Sequence, residues 1–183
     1  MPETNRRYTA DEVLAFPDDG NRYELVDGEL LVTAAPDAAH QAVLGRLYFQ
    51  LAEYLKAQKD LMVLFSPAEI TWGREHVVHP DLFVVPAKEI SQSWETVRAL
   101  LLAVEVVSPS SAEADRVTKR KLYQARGVES YWVVDPAAAR IEVWRPKDDQ
   151  PAIVTEVIRW RVTPQADEFV LDLKTLFAEV PGS

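Results

Sequence analysis

Two acidic residues occur within segments that otherwise read as apolar strands. Asp81 follows a proline in HVVHPDLFVVP (76–86), and Glu105 lies inside the apolar run LLAVEVVSP (101–109). An isolated carboxylate is costly to bury, so such a residue must be paired, protonated, bound to a metal or at the wet end of its strand. We expect Glu105 to line a wet pocket in which a cation balances its charge.

Asp81 and Glu105 together suit a divalent cation. Mg²⁺ takes one or two carboxylates together with water molecules and phosphate oxygens. A neighbouring lysine can orient or deprotonate the attacking water, or neutralise charge that develops on a phosphate. These residue types therefore predict metal-assisted hydrolysis of a phosphodiester, with Mg²⁺ or Mn²⁺ held by the two carboxylates.

The lysine of such a site cannot come from the strand of Glu105. Side chains alternate along a strand, so residue 107 shares the face of Glu105, and it is a valine. In the following segment residues 115, 119 and 123 are spaced by four and share one helix face, which directs Lys119 toward that strand. We predict Lys119 as the site lysine, with Lys121, or no lysine, as the alternative.

Turn residues and periodicity predict the elements that position these side chains. Residues 22–33 alternate around Asp27-Gly28, which is a strong signal for a tight β-hairpin. Apolar residues at helical spacing predict a helix that begins after Asp37, its N-cap. The predicted helices cover 37–58 and 111–126, short turns cover 93–99 and 173–180, and strands cover 62–72, 76–86, 101–109, 130–136, 140–146, 153–162 and 168–173.

This order of elements predicts an α/β (α+β) fold with a mixed central sheet flanked by helices. At 183 residues the chain is expected to form one domain, 1–183. Within it we distinguish an N-terminal hairpin and helix (8–58), a core (60–146) and C-terminal strands (150–180).

Composition narrows the classes of protein. The chain has no cysteine, which excludes disulfides, thiolate metal sites and cysteine nucleophiles. Its N-terminus lacks the apolar core of a signal peptide, and no run reaches the length of a membrane span, so we expect a cytoplasmic protein without membrane partners. The net charge of -9 argues against a large phosphate-gripping surface, although RVTKRK (116–121) is a local basic cluster.

Three segments together resemble the PD-(D/E)XK nuclease superfamily. They are HPDLFVVP, AVEVVSPSS and DRVTKRKLYQARGVESYWVVDP, and with the opening RYELVDGELLVTAAPDAAHQ they resemble the Uma-two family of restriction-endonuclease-like proteins over roughly residues 8–145. The resemblance implies a restriction-endonuclease-like core that acts on DNA, and we expect the substrate to be double-stranded. It also implies Asp81 and Glu105 as metal ligands and Lys119 as a lysine moved from strand to helix.

The resemblance further implies that an N-terminal glutamate, Glu24 or Glu29, and His40 approach the same cleft. For His40 the structural alternative is a residue at a helix start that is hydrogen-bonded to solvent or backbone. We assign His76 and His79 structural or solvated roles rather than a chelating one, because three-residue spacing in a strand points them to opposite faces.

Two further interpretations are rejected. Ser108 follows the strand of Glu105, but no G-x-S-x-G elbow surrounds it, so a serine hydrolase is not expected. Three aromatic residues are expected to pack in the core or at an interface rather than to stack on bases: Tyr123, Tyr131 and Trp132.

The sequence thus supports two hypotheses from different classes. The first is a Mg²⁺-dependent endonuclease that cuts DNA; a homodimer is expected with it, because cutting both strands of a duplex calls for two sites. The alternative is a catalytically inactive descendant of the same fold that acts as a binding or assembly module, with its acids kept as a structural network.

Overall fold

The computed structural model describes residues 6–90 and 93–179. Twelve strands are found in this part of the chain: β1 (Asn21–Val26), β2 (Glu29–Ala34), β3 (Leu61–Phe65), β4 (Ile70–Thr71), β5 (Val77–Val78), β6 (Leu82–Pro86), β7 (Leu102–Val106), β8 (Tyr131–Asp135), β9 (Arg140–Trp144), β10 (Ala152–Val154), β11 (Val157–Trp160) and β12 (Phe169–Asp172). The α-helices are α1 (Ala10–Leu14), α2 (Ala38–Leu55), α3 (Arg120–Ala125) and α4 (Leu173–Phe177); a π-helical segment covers Ala114–Lys119, and 3-10 turns cover Ala87–Glu89 and Trp94–Thr96.

The centre of the fold is a six-stranded mixed sheet in the order β10-β9-β8-β7-β6-β3. β7 and β8 run parallel, and every other neighbouring pair is antiparallel. The connection between the parallel strands carries the π-helical segment and α3, as a parallel pair requires a crossover. The predicted fold class, a mixed sheet flanked by helices, is confirmed.

The N-terminal hairpin belongs to a second sheet in the order β2-β1-β5-β4. β1 and β2 pair over their full length, from Asn21↔Ala34 to Val26↔Glu29. Asp27 and Gly28 both have positive φ, 49° and 75°, which is the requirement of a primed two-residue turn. The hairpin predicted around this pair is confirmed.

The two faces of the central sheet bury different partners. One face packs against α2, α4 and the β11–β12 pair. The other face packs against α3 and the N-terminal sheet. Along β7, Val104 and Val106 belong to the first face and Ala103 to the second, so Glu105 points toward the second face, the one that carries α3.

Helix α2 forms where the apolar spacing predicted it. The side chain of Asp37 accepts a hydrogen bond from the backbone N–H of His40 at 2.8 Å, which confirms Asp37 as the N-cap. One stripe of the helix is buried against the sheet: Val43, Leu44, Leu47, Leu51 and Leu55. Burial of this stripe fixes the N-terminal end of α2, and with it His40, beside the sheet.

Several predicted strands were too long, because they ran through residues that end a ladder. The predicted strand 62–72 divides at Ser66-Pro67 into β3 and β4, which lie in different sheets, and 76–86 divides at Pro80 into β5 and β6. Proline has no backbone N–H to continue pairing. The predicted strand 153–162 likewise divides into β10 and β11.

The short helix α1 was not predicted. Its signal is the capping box of Thr9 and Glu12, in which each side chain bonds the backbone N–H of the other residue. The end of the last predicted turn, residue 180, lies outside the described residues. No helix within 6–90 and 93–179 is long and apolar enough to cross a membrane.

Candidate active site

The two predicted metal ligands meet at one end of the β6–β7 pair. The antiparallel register places Leu82 opposite Val104 and Phe83 opposite Ala103, so one more step brings Asp81 beside Glu105 on the same face. Both side chains line a single cleft of about 220 Å³. The strand arrangement, rather than any local motif, brings these carboxylates together.

Asp81 is held by donors on both carboxylate oxygens. Arg22 Nη1 donates to Oδ1 at 2.7 Å, while His40 Nε2 and the backbone N–H of Val106 each contact Oδ2 at 2.9 Å. Burial alone would raise the pKa of Asp81, but the hydrogen bond from His40 and the charges of Arg22 and Lys119 lower it to about 2. Asp81 is therefore an ionised, immobile carboxylate at neutral pH.

The carboxylate of Glu105 is paired with other side chains inside the protein and is not solvated. Its Oε1 accepts a hydrogen bond from the hydroxyl of Tyr123 at 2.9 Å and lies 3.2 Å from Lys119 Nζ. Glu105 reaches the wall of the cleft, yet the residue is almost fully buried. The expectation of a solvated Glu105 is therefore wrong, because Tyr123 and Lys119 from the crossover cover it.

Lys119 is the centre of a buried ion cluster. Its Nζ lies 2.7 Å from Glu24, 3.0 Å from Asp115 and 3.2 Å from Glu105, and each of these four side chains is at most 2% exposed. Burial on its own would lower the pKa of Lys119, but the three carboxylates raise it well above its usual value. The side chain is thus an ammonium at neutral pH.

A π-helical segment delivers Lys119 to this position. Ala114–Lys119 winds more loosely than an α-helix and turns both Asp115 and Lys119 inward, and α3 then adds Tyr123 to the same buried side. Single turns of π-helix occur often at functional sites, where they re-aim a side chain. The predicted shared face of residues 115, 119 and 123 is confirmed.

The cluster contains more acid than base. Four carboxylates of the described residues, on Glu24, Asp81, Glu105 and Asp115, meet the ammonium of Lys119 and the guanidinium of Arg22. Burial is the largest cause that raises the pKa values of both Glu105 and Asp115, and the neighbouring carboxylates add to it. A divalent cation would relieve this excess of negative charge.

Carboxylates are the side chains of this cleft that a hard divalent ion could take as ligands. Asp81 and Glu105 supply carboxylate oxygens to one cleft, which meets the need of Mg²⁺ for one or two carboxylates plus water. A closed cage would require more protein ligands, and among the described residues no group of three or more histidine or acidic side chains is arranged as one. An ion held there would take its remaining ligands from water and from phosphate oxygens of a substrate.

The other predicted residues divide between the cleft and the surface. His40 lines the cleft, and of the two candidate glutamates Glu24 joins the cluster. Glu29 is exposed at the turn end of β2, opposite Val26, and does not line the cleft. The rival lysine, Lys121, is exposed.

The residues given structural roles have such contacts. His76 contacts Asp27 at 3.0 Å, and His79 donates its backbone N–H to Glu24 at 2.8 Å. Ser108 lines the rim of the cleft and bonds neighbouring serines. The three predicted core aromatics are buried: Tyr123, Tyr131 and Trp132.

Sequence reasoning missed Arg22. It sits two residues before Glu24 in β1, so strand alternation places both side chains on one face. Once Glu24 is a candidate, that alternation could have identified Arg22 as well. The site role of Asp115 was also missed, although its shared face with Lys119 was noted.

Comparisons with known proteins agree with this architecture. A crystal structure described as "a putative nuclease belonging to DUF820 from Anabaena variabilis" is similar, with a TM-score of 0.75 and 24% identity over 92% of this chain and 97% of that one. No curated protein sequence matches the chain. A family model described as "Uma2: Putative restriction endonuclease" matches residues 10–173. The chain therefore belongs to the Uma2 family of restriction-endonuclease-like proteins.

Proposed function

We propose that this protein is a metal-dependent endonuclease that hydrolyses DNA phosphodiester bonds by a PD-(D/E)XK-type mechanism. The observation that carries the proposal is the contact of Lys119 Nζ with Glu105 Oε1 at 3.2 Å, at the cleft that Asp81 also lines. Lys119 from the crossover thereby supplies the lysine that the strand itself lacks, because residue 107 is a valine. Family membership supports the same chemistry.

Asp81 and Glu105 are the proposed ligands of Mg²⁺ or Mn²⁺. Such an ion supplies a Lewis acid for the phosphoryl oxygen and a more acidic bound water. Arg22, His40 and the N–H of Val106 hold the Asp81 carboxylate in one orientation, so that ligand is preorganised. Tyr123 does the same for Glu105.

Lys119 acts through its positive charge. Its raised pKa keeps it protonated, so it neutralises charge that develops on the phosphate rather than deprotonating water. In the reaction, the oxygen of water adds to phosphorus and the bond to the leaving oxygen breaks. One proton of the water ends on the leaving oxygen, which becomes the hydroxyl group of an alcohol, and the other passes to solvent, which leaves a phosphate monoester.

Plasmid cleavage in Mg²⁺ or Mn²⁺ tests the proposal. Glu105→Gln, and Lys119→Met at a temperature at which circular dichroism shows it to be folded, should each lower the cleavage rate by about 10²-fold or more, the usual loss when one charge-stabilising group is removed. Glu113→Gln and Lys121→Met change exposed residues near the same helix and should cleave normally. Undiminished cleavage by Glu105→Gln, with its fold intact, contradicts the proposal.

One observation favours the alternative of a catalytically inactive binding or assembly module. Lys119 and its three carboxylates are buried and contact one another at 2.7–3.2 Å, as the members of a structural ion network do. This alternative predicts no cleavage and no Mg²⁺ binding by calorimetry in the unaltered protein. A homodimer and a cytoplasmic location stay predictions from the sequence.

A further inference from the structure

A second groove adjoins the cleft of the candidate active site. It has a volume of about 620 Å³, and three residues line both cavities: Arg22, Ala35 and Pro36. The two cavities therefore meet at Arg22, the residue that also holds Asp81. Any strand that places a phosphate at the proposed metal ligands has this groove as its neighbour.

Aromatic rings line the groove. Phe16 and Tyr23 pack edge to face with ring centroids 4.9 Å apart. Phe65 is 52% exposed, although its ring packs on that of Tyr48 with the two ring centroids 4.8 Å apart. An exposed ring that is held on one side is a platform on which a nucleobase can stack, because every base has a π face.

The charged residues of the groove favour an uncharged base inside it and a phosphate at its junction with the cleft. Asp18 and Glu69 line it, so a phosphate would be repelled there, whereas an uncharged base would not. The cation is at the junction instead. Arg22 Nη1 binds Asp81 and the carbonyl of His79, and the other guanidinium nitrogens, Nε and Nη2, have no partner among the described residues.

Arg22 is consequently able to bind a phosphate at the mouth of the groove. Its side chain is 19% exposed and faces both cavities. A guanidinium presents two parallel donors that match phosphate oxygens, and one edge stays available after Asp81 is bound. A phosphate at this edge would lie next to the proposed metal ligands.

We propose that the aromatic groove takes the base of an unpaired nucleotide whose phosphate is bound by Arg22. A base can enter such a groove only after it has left its stack, which costs least in single-stranded or locally unpaired nucleic acid. The inference rests on the proposed nuclease function and names its substrate class. The protein prefers a single strand, or an unpaired segment of a duplex, to continuous duplex DNA.

Binding without cleavage tests the inference. In EDTA, fluorescence anisotropy with a labelled single-stranded oligonucleotide should give a Kd at least about tenfold lower than with the blunt duplex of the same sequence. Phe65→Ala should weaken single-strand binding by about 5- to 150-fold, the factor expected for one lost base–aromatic stack. Duplex binding should not change.

Phe49→Ala is the matched control. Phe49 is 61% exposed on α2 and does not line the groove, so its loss should leave single-strand binding unchanged. Arg22→Gln should reduce the slope of log K against log salt by about 0.7, the contribution of one phosphate contact on a single strand. Because Phe65 is exposed, its variant tests the inference even if Arg22→Gln fails to fold.

The failure of this inference is distinguishable from failure of the nuclease proposal. If the protein cuts duplex DNA in Mg²⁺ and Phe65→Ala binds single strands like Phe49→Ala, the inference is overturned while the nuclease proposal stands. If neither strand form is bound or cut under any metal condition, both are overturned. Weaker single-strand binding by Phe65→Ala, with binding by Phe49→Ala unchanged, supports the inference.

Discussion

Replacing Lys119 by methionine should destabilise the fold strongly. Methionine reaches as far as the lysine Cε but lacks the ammonium that lies within 2.7–3.2 Å of Glu24, Asp115 and Glu105. Three buried carboxylates are then left without their counter-ion. The change therefore isolates the electrostatic role of Lys119 from its packing.

The magnitude follows from the cost of breaking a buried ion pair, about 3–5 kcal/mol. Glu105 and Asp115, whose pKa values burial already raises, can take up protons in the variant, and this limits the loss to that range. For a chain of this size the melting temperature should fall by about 6–20 °C. The loss should amount to a large part of a total stability of about 5–15 kcal/mol.

The loss should also depend on pH. Without Lys119 the pKa values of Glu105 and Asp115 rise further above their unfolded values, so the native state binds more protons than the unfolded state at neutral pH. Stability of the variant, relative to the unaltered protein, therefore falls as pH rises from 5 to 8. Acid should partly restore what the substitution removes.

Urea unfolding at pH 5 and pH 8 measures this effect. Lys121→Met is the control, because Lys121 is exposed in α3, two residues after Lys119, and its loss should change the free energy of unfolding by less than about 0.5 kcal/mol. A Lys119→Met variant as stable as Lys121→Met at both values of pH would refute the reasoning. It would mean that the carboxylates are neutral or solvated in the native protein.

Three further substitutions probe separate parts of the structure. Glu105→Gln should abolish Mg²⁺ binding in a calorimetric titration yet raise the metal-free free energy of unfolding by about 1 kcal/mol, because it removes one of the crowded acids. Leu47→Ala should lower the free energy of unfolding in urea by about 2–5 kcal/mol, since Leu47 is fully buried against the sheet, whereas Phe49→Ala on the same helix should cost far less. Asp37→Ala should cost about 1 kcal/mol in thermal unfolding through loss of the N-cap of α2.

Much of the fold could be predicted from local sequence. The hairpin at Asp27-Gly28 requires positive φ that this pair tolerates, and the apolar spacing after Asp37 defines the buried stripe of α2. The strand divisions at Pro67 and Pro80 were missed, because apolar runs on either side read as continuous. Proline marks these breaks, but the assignment of each half to a different sheet depends on long-range pairing.

The candidate site shows the same division. Residue types and strand alternation were enough to nominate Asp81 and Glu105 and to require a lysine from outside the strand. They could not choose between Glu24 and Glu29, because both lie in the same hairpin. The tertiary structure separates them: Glu24 meets Lys119 in the interior, and Glu29 stays exposed at the turn.

The sequence by itself determined the kinds of chemistry available, since residue types set which charges can meet and periodicity sets which face each occupies. Only the tertiary structure decided how those charges are compensated. Arg22 reaches Asp81 across 59 positions of the chain, and Lys119 reaches Glu24 of the N-terminal sheet from the π-helical segment of the crossover. The physical reason is that burial and ion pairing depend on which distant segments pack together. Local propensity does not determine that packing.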